Sequence, residues 1–413
     1  MLRPYCFTPD DEAFLEDLEH RAFRFFWESA DPASGLVPDR ARADGMGPGE
    51  IASTASTGFG LAALPVAALR GWITEAQALE RAELTLDTCL NRLEADHGFL
   101  FHFIHLKDLS RAWNCEVSTI DTALLALGAL TVRGAFPGTR AAELAGRLYE
   151  RIDWPWMATE DHLIRHGSFP ESGFIPWKWD AYSEGLAMIL LAVGAPKHPL
   201  PPAAWARWER RNWTTYGRRR FLHHPPLFVH QFSHAFVDFR GLRDSAAGGL
   251  DYWENSVKAT LAQRQFCIDL SPQFPSFSAD CWGLTSSDSR AGYVDWGGPP
   301  MPGAGPDKRI DGSVVPCAPA GSLPFAPRLC VRALRHMHRQ YGDFAYGPYG
   351  FADAFHPTLR WANPDVIGID QGITLLMAEN ARTGAVWRWF MANSEVQSAL
   401  KLSGLIPRGE AVV

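Results

Sequence analysis

The sequence has little of what a membrane protein, a nucleic-acid-binding protein or a disulfide-stabilised protein needs. No apolar stretch reaches the roughly 18 uncharged residues of a membrane span. The 39 basic residues are outnumbered by 46 acidic ones, and the net charge of −7 leaves no cationic excess to neutralise phosphates. The seven cysteines form no close CxxC pairs, which argues against a disulfide framework and a zinc knot. We therefore expect neither a membrane nor a nucleic-acid partner.

Signals for export and for nucleotide chemistry are missing as well. The amino terminus, residues 1–11, lacks the apolar core of a signal peptide. This predicts a cytoplasmic protein whose cysteines are reduced and mostly buried; the alternative is a periplasmic protein whose start lies further upstream. No GxGxxG follows a strand pattern, and no GxxxxGK(S/T) or GxSxG pattern occurs. We expect no nucleotide cofactor.

Apolar and aromatic residues are abundant instead. Hydrophobic residues make up 46% of the chain and charged residues 21%, which excludes a disordered chain and a coiled coil. The 16 Trp, 9 Tyr and 25 Phe make up 12% of the chain, and core packing alone rarely calls for so many Trp. Such rings are also common platforms for sugars. No linker divides the sequence, so we expect one domain over residues 1–413.

Two kinds of helix alternate along the sequence. Residues 74–93 and 139–152 place apolar side chains at helical spacing and charged ones elsewhere, and Thr74 with Gln77 forms a capping-box pattern. The second kind is apolar on every side and must be buried on every side. Helices of this second kind begin near residues 57, 121, 184, Val229, Leu323 and Asp370.

This alternation predicts the fold class. Six buried helices inside six amphipathic ones give an all-α fold, an (α/α)6 toroid of two concentric rings. The alternative is an irregular α-solenoid, whose repeats would be shorter and whose loops would be less aromatic.

Acidic residues precede or open the buried helices, where the helix dipole stabilises a carboxylate. They are Glu116, Asp121, Glu184 and Asp370. Helix capping alone could explain Asp121 and Asp370, because Asp is a favoured cap. Glu is a poor cap, and Glu116 and Glu184 lie among Trp, Tyr and apolar residues, where burial should raise a carboxyl pKa.

Two carboxylates facing each other in an aromatic cleft suit glycoside hydrolysis. One donates a proton to the leaving oxygen, and the other activates water or attacks the anomeric carbon. We assign these roles to the pair Glu116 and Glu184. Their spacing in sequence leaves open whether the reaction retains or inverts the anomeric configuration.

Further candidates for sugar binding lie in loop-like segments that mix aromatic rings with acids, amides or histidine. Together with Asp121 and Asp370, the predicted substrate-binding residues are His102, Trp113, Trp177, Trp179, Tyr182, Trp282, Asp288, Tyr349, Phe351 and Asp353. Read singly, each segment is more often ordinary loop packing; their number favours a cleft.

Histidines raise the question of a metal. The candidates are His223, His224 and the pair His230 and His234, which are spaced by one helical turn. The HExxH pattern is absent, so we favour hydrogen bonding or packing and expect no metal.

Several segments together resemble the bacterial glucoamylase-like family, which includes endo-β-1,2-glucanases and is similar to a domain of cyclic β-1,2-glucan synthases. The match covers about residues 15–395. The segments that carry it are Phe25–Trp27, Ser56–Gly60, Glu116–Leu125, Tyr182–Gly185, Trp282–Asp288, Asp311–Ser313, Ala320–Pro327, Tyr349–Phe355 and Gly368–Gly372. The resemblance implies an (α/α)6 toroid that acts on β-1,2-linked glucose chains without a metal.

The resemblance also implies roles for residues. The family's acids correspond to Glu116 and Glu184, with Asp121 and Asp370 as subsite or assisting groups. Family members are usually exported, and in this respect the sequence departs from them, because residues 1–11 show no signal peptide.

We therefore expect a glycoside hydrolase of β-1,2-glucan or its oligosaccharides. The alternatives are a transglycosylase with the same site and a retaining mechanism, and a carbohydrate-binding protein without catalysis. A polysaccharide lyase is disfavoured, because lyases usually use Arg, His or Tyr where this sequence has acids. The oligomeric state is left open.

Overall fold

Helices make up most of the regular backbone, and short strands lie in the connections between them. The computed structural model of the protein describes residues 5–47 and 49–408, so both ends of the predicted domain 1–413 lie outside the described residues. The helices of the described part, α1 to α15, are Pro9–Ser29, Thr54–Arg70, Glu75–Asn91, Thr119–Ala135, Arg140–Glu150, Trp154–Met157, Leu186–Gly194, Ala203–Arg207, Phe232–Phe236, Tyr252–Leu270, Cys317–Ala320, Pro327–Ala345, Gly368–Arg382, Ala385–Met391 and Ser394–Leu402.

The strands form small antiparallel sheets. The strands of the described part, β1 to β19, are Arg40–Arg42, Ile51–Ser53, Ala95–Asp96, Phe99–Leu100, Phe103–His105, Val117–Ser118, Gly167–Phe169, Gly173–Phe174, Trp213–Tyr216, Arg219–Leu222, Leu242–Asp244, Ser286–Ser289, Gly292–Asp295, Tyr346–Gly347, Gly350–Phe351, Phe355–His356, Trp361–Ala362, Asp365–Ile367 and Leu405–Pro407.

The helices predicted to be apolar on every side form the interior. Helices α2, α4, α7 and α13 bury nearly all of their residues. Their contacts run from α2 to α4, from α4 to α7, from α7 to α9, from α9 to α13 and back to α2. The inner helices therefore contact one another in a closed series, and the hydrophobic core continues through all of them.

Close approach between α2 and α4 explains two glycines in these apolar helices. A Cβ atom on Gly128 would lie 1.9 Å from the carbonyl oxygen of Gly58, and a Cβ atom on Gly58 would lie 2.4 Å from the carbonyl oxygen of Leu124. Because backbone atoms cannot yield as side chains do, only glycine lets the two helices pack this closely.

The amphipathic helices lie outside this interior. Helix α3 begins at Glu75 after Thr74, and the predicted capping box between Thr74 and Gln77 is present in both directions. Helix α5 begins after Thr139, whose side chain accepts a hydrogen bond from the backbone of Ala142. Helix α3 packs against α2 and α5, and α1 packs against α2 and α13.

Two of the predicted inner helices are much shorter than expected. The one expected near Val229 is a 3₁₀ turn, Leu227–His230, followed by the five-residue helix α9. The one expected near Leu323 is the four-residue helix α11. Among the described residues, none of the helices combines the length and apolar character that a membrane crossing requires.

Short strands lead into the inner helices and fix where their amino-terminal ends lie. Strand β2 leads into α2, β6 into α4 and β18 into α13. Strand β1 pairs with β18 and β2 pairs with β5, so the segments that precede α2, α4 and α13 are joined to one another. The candidate acids Glu116, Asp121 and Asp370 lie at these junctions, and Glu184 lies directly before α7.

Candidate active site

His102 joins two of the predicted acids. Its Nδ1 lies 3.0 Å from Glu116 Oε1, and its Nε2 lies 3.4 Å from Asp121 Oδ1. The ring is stacked on Phe103 at 3.8 Å between centroids, which fixes its plane. Burial opposes the charge of His102, but Asp121 and Glu116 raise its pKa to about 9. The imidazole is therefore protonated at neutral pH and donates from both nitrogens.

The protonated imidazole keeps Glu116 ionised. Burial raises the pKa of Glu116, but the hydrogen bond and positive charge of His102 outweigh burial, and the pKa lies below its usual value. Asp121 is more deeply buried, and burial raises its pKa although His102 and Ser118 oppose the shift. The Ser118 hydroxyl donates to Asp121 Oδ2 at 2.5 Å and accepts from the Asp121 backbone at 3.3 Å, so Ser118, and not Asp121, caps α4.

Glu184 has the opposite character. It lies in the turn before α7, where the Ser233 hydroxyl donates to its carbonyl oxygen at 2.6 Å. Burial, with the charges of Asp121 and Asp295, raises the pKa of Glu184 to about 7. At neutral pH a large share of the protein thus carries a proton on Glu184 while Glu116 is ionised. Asp121 acts electrostatically on both.

A second acidic group lies at the start of α13. Asp370 and Asp353 are 5% and 3% exposed and line one small cavity, where the charge of Asp370 raises the pKa of Asp353. The backbone N–H of Asp288 donates to Asp353 Oδ2 at 2.6 Å. The Asp288 carboxylate is paired with Arg40 at 2.5 Å. The predicted residues Asp288, Asp353 and Asp370 are therefore brought together.

Two acids that sequence reasoning missed connect these groups. Asp39 accepts a hydrogen bond from Arg40 and raises the pKa values of His102, Asp121 and Asp370. Asp295, on β13, acts on Glu184. Glu116, Asp121, Glu184 and Asp370 stand out in the sequence because they directly precede or open buried helices. Asp39 lies before β1, well ahead of α2, and Asp295 lies in a hairpin, so neither has that sequence signal.

Exposed aromatic rings lie on the segments that carry the acids. Trp113 is 64% exposed and Trp177 is 71% exposed. Trp113 has a left-handed backbone (φ 53°) and meets the edge of Phe103, the ring that supports His102. Sequence reasoning missed the exposed ring of Tyr293, on the same hairpin as Asp295.

Burial corrects several of the predicted sugar contacts. Tyr182 and Trp282 are 1% and 0% exposed, so their rings belong to the core. The Tyr182 hydroxyl is hydrogen-bonded to His230 at 3.0 Å. Tyr349 and Phe351 are 5% exposed and pack edge-on against other rings. Sequence cannot separate such rings from cleft rings, because both kinds favour apolar surroundings.

Trp179 is mostly buried but lies close to the acids. Its indole N–H donates to the Thr119 hydroxyl at 3.2 Å, in the first turn of α4. Its ring is stacked on His166 at 4.2 Å. The hydrogen bond to Thr119 therefore joins Trp179 to the chain segment that follows Glu116.

The site contains one group of side chains with metal-ligand spacing. Among the described residues, ligand atoms of His102, Glu116 and Asp121 lie within 4.8 Å of one another. The imidazolium already supplies the positive charge between the two carboxylates.

Three of the histidines considered for a metal, His223, His230 and His234, have hydrogen-bond partners. His223 is hydrogen-bonded to the carbonyl oxygen of Pro299 at 2.8 Å, and His234 to the Ser256 hydroxyl at 3.0 Å. Burial lowers the pKa of both. These contacts fit the hydrogen-bonding role that the sequence favoured.

A cavity of about 740 Å³ lies beside the carboxyl end of α1, away from this group of acids. Tyr349 is the aromatic residue of its described lining. None of the candidate acids is part of that described lining, so we place the candidate site at the junctions before α4, α7 and α13.

Comparison with known proteins gives consistent matches. The profile of a family described as "Putative glucoamylase" matches residues 176–394. An exo β-1,2-glucooligosaccharide sophorohydrolase of Parabacteroides distasonis is 28% identical over 433 aligned positions, which cover 95% of this chain. The chain spans 58% of the length of that relative.

Solved structures are similar over nearly the whole chain. An endo-β-1,2-glucanase of Chitinophaga pinensis, solved with sophorotriose and glucose, has a TM-score of 0.88 at 26% identity, covering 97% of this chain and 99% of that one. A β-1,2-glucanase of Parabacteroides distasonis has a TM-score of 0.85 at 25% identity, covering 97% of this chain and 60% of that one.

Proposed function

The chain belongs to the glucoamylase-like family, whose profile matches more than half of it, and from this premise we propose that it hydrolyses β-1,2-linked glucooligosaccharides or β-1,2-glucan. One observation carries the proposal: the pKa of Glu184 is raised to about 7, whereas the pKa of Glu116 is lowered. Carboxyl groups whose environments separate their pKa values in this way suit the roles of acid and base.

The proposal includes the architecture. The closed series α2, α4, α7, α9 and α13, with α11 packed on α13 and with α1, α3, α5, α8, α10 and α12 alternating with these helices along the chain, supports an (α/α)6 toroid. The continuous core supports a single catalytic domain. In such a toroid the amino-terminal ends of the inner helices share one mouth, which brings Glu116 and Glu184 to one cleft.

The chemistry follows from the protonation states. Protonated Glu184 donates its proton to the glycosidic oxygen as the bond to the anomeric carbon breaks. Ionised Glu116 either removes a proton from the attacking water or attacks the anomeric carbon itself. His102 holds Glu116 in the ionised, oriented state through the 3.0 Å hydrogen bond.

The relatives support the choice of linkage. A curated relative is named for β-1,2-glucooligosaccharides, and two similar structures are named as β-1,2-glucanases. Trp113 and Trp177 present exposed rings on the segments that lead to Glu116 and Glu184, and sugar stacking needs exposed rings. We propose these two rings as platforms, and Asp121, Asp370 and Asp288 as groups that bind sugar hydroxyls.

The activity should fall steeply on the alkaline side. Glu184 must be protonated to act as an acid, and its pKa is about 7. The value of kcat/KM should therefore decline about tenfold per pH unit above that pKa. A pH–rate profile between pH 5 and 9 on β-1,2-glucan checks this. A kcat/KM that stays constant up to pH 9 would remove Glu184 from the acid role.

Product analysis tests the proposed reaction. Linear β-1,2-glucan should yield new reducing ends, and NMR of the first products should show one anomer in excess. With an added acceptor sugar, rearranged or longer chains without new reducing ends would identify a transglycosylase. Binding without bond cleavage over long incubation would identify a carbohydrate-binding protein and contradict the proposal.

A further inference from the structure

Asp353 and Asp370 form a buried pair under the cleft. Both line a cavity of about 10 Å³ together with Cys317, Gln371 and Phe351. That volume is close to the lower limit for one water molecule, so bulk water does not separate the two carboxyl groups. Each is almost fully buried.

The contacts of the two carboxyl groups leave one place for a proton. Asp353 Oδ2 accepts the backbone N–H of Asp288, whereas among the described residues Asp353 Oδ1 finds no donor. Asp370 shares its cavity with Asp353 and Cys317, and both of these side chains lower the pKa of Asp370. Two ionised carboxylates in contact would repel each other strongly, so one of the two must carry a proton.

We propose that Asp353 and Asp370 hold a single proton between them, with Asp353 as the protonated positioning residue and Asp370 as the carboxylate presented to the cleft. For its effect on activity, the inference rests on the proposed function. Asp353 then donates from Oδ1 to Asp370 and accepts from Asp288 through Oδ2.

The surroundings decide which partner keeps the proton. Burial and the charge of Asp370 hold the pKa of Asp353 well above its usual value. Burial raises the pKa of Asp370 only to about 6, because Asp353 and Cys317 both donate to it. The charge of Asp370 also acts more strongly than that of Asp353 on Tyr293, whose ring is exposed at the cleft.

The other charged groups around the pair are largely compensated. The titratable and charged groups that face it are Asp39, Asp288, Arg40, Cys317 and Tyr293. Arg40 pairs with both Asp39 and Asp288. The pKa at which the pair loses its one shared proton is therefore determined mainly by burial and by the closeness of Asp353 and Asp370.

Asparagine substitutions separate the two partners. Asn at 353 keeps the donor to Asp370 and the acceptor for Asp288, so Asp353→Asn should restore most of the kcat/KM that Asp353→Ala loses. Asp370→Asn removes the carboxylate and should lower kcat/KM by at least about tenfold. In Asp353→Ala the acid limb of the pH profile should move to higher pH, because Asp370 loses a donor to its charged form. Equal loss in Asp353→Asn and Asp353→Ala would overturn the assignment.

A measurement without substrate keeps this test separate from the proposed function. Asp353 is protonated in the folded protein and ionised in the unfolded chain at neutral pH, so folding takes up a proton there, and this contribution to stability is lost as pH rises. Unfolding curves from pH 5 to 8 should therefore show about one proton less taken up on folding by Asp353→Asn than by wild type. Equal uptake by both would refute the shared proton. If wild type cleaves no β-1,2-glucan, the proposed function fails, and the uptake still decides the inference.

Discussion

Glu184→Gln should lower kcat on β-1,2-glucan by about 10²–10⁴-fold, the range that general acid catalysis contributes. Glutamine has nearly the same shape but carries no transferable proton. The backbone contact from Ser233 goes to the carbonyl oxygen of residue 184, so the turn before α7 should stay in place. Initial rates of reducing-end release measure the effect.

An activated substrate isolates the cause of that loss. A β-glucoside with a good leaving group, such as dinitrophenolate, needs no proton from the enzyme, so Glu184→Gln should lose far less activity on it. Glu160→Gln changes an exposed glutamate and serves as the matched control. Near-wild-type turnover of β-1,2-glucan by Glu184→Gln would show that another group is the acid.

The stability of Glu184→Gln has a predictable sign. The folded-state pKa of Glu184 is raised, so its ionisation destabilises the fold as the pH rises through about 7. Glutamine removes that effect. At pH 8 the variant should unfold at the same temperature as wild type or higher, which separates lost catalysis from lost folding.

Glu116→Gln should also lower kcat by about 10²–10⁴-fold, because the ionised partner of the reaction is lost. The substitution should act on His102 as well. Without the carboxylate at 3.0 Å, the pKa of His102 should fall below its present value of about 9. NMR titration of the imidazole measures this shift without substrate.

A neighbouring glutamate supplies the control for Glu116. Glu171 pairs with Arg111 on an adjacent loop, and its side chain is 64% exposed. Glu171→Gln should change kcat little and should leave the titration of His102 where it is. Should Glu116→Gln match wild type while Glu184→Gln is inactive, Asp121 or Asp370 would have to take the role of Glu116.

The long inner helices could be predicted because their sequences fit only a buried helix. Helices α2 and α4 are apolar on all sides over residues 58–69 and 122–130, and only full burial suits such a stretch of helix. Helices α9 and α11 have five and four residues, too few for a helical period to be visible. The loops around α9 and α11 are held in place by contacts with residues far away in the sequence, and a local pattern does not show such contacts.

The site was predictable where local sequence carries the information. Glu116 and Glu184 stand out as glutamates among aromatic residues before buried helices. The role of His102 could not be predicted from its local sequence. It depends on Asp121, which lies in the first turn of α4 and approaches Nε2 of the imidazole. The burial of Tyr182 and Trp282 depends on tertiary packing, which is why local sequence could not separate them from exposed rings.

We propose that Glu184 is the general acid that cleaves a β-1,2-glucosidic bond. The most direct measurement compares initial rates of reducing-end release from β-1,2-, β-1,3- and β-1,4-linked glucans of equal length, by wild type and by Glu184→Gln. We expect wild type to cleave the β-1,2-linked chain preferentially and Glu184→Gln to lose that cleavage. Preference for another linkage, or equal rates for the two proteins on the β-1,2-linked chain, would contradict the account.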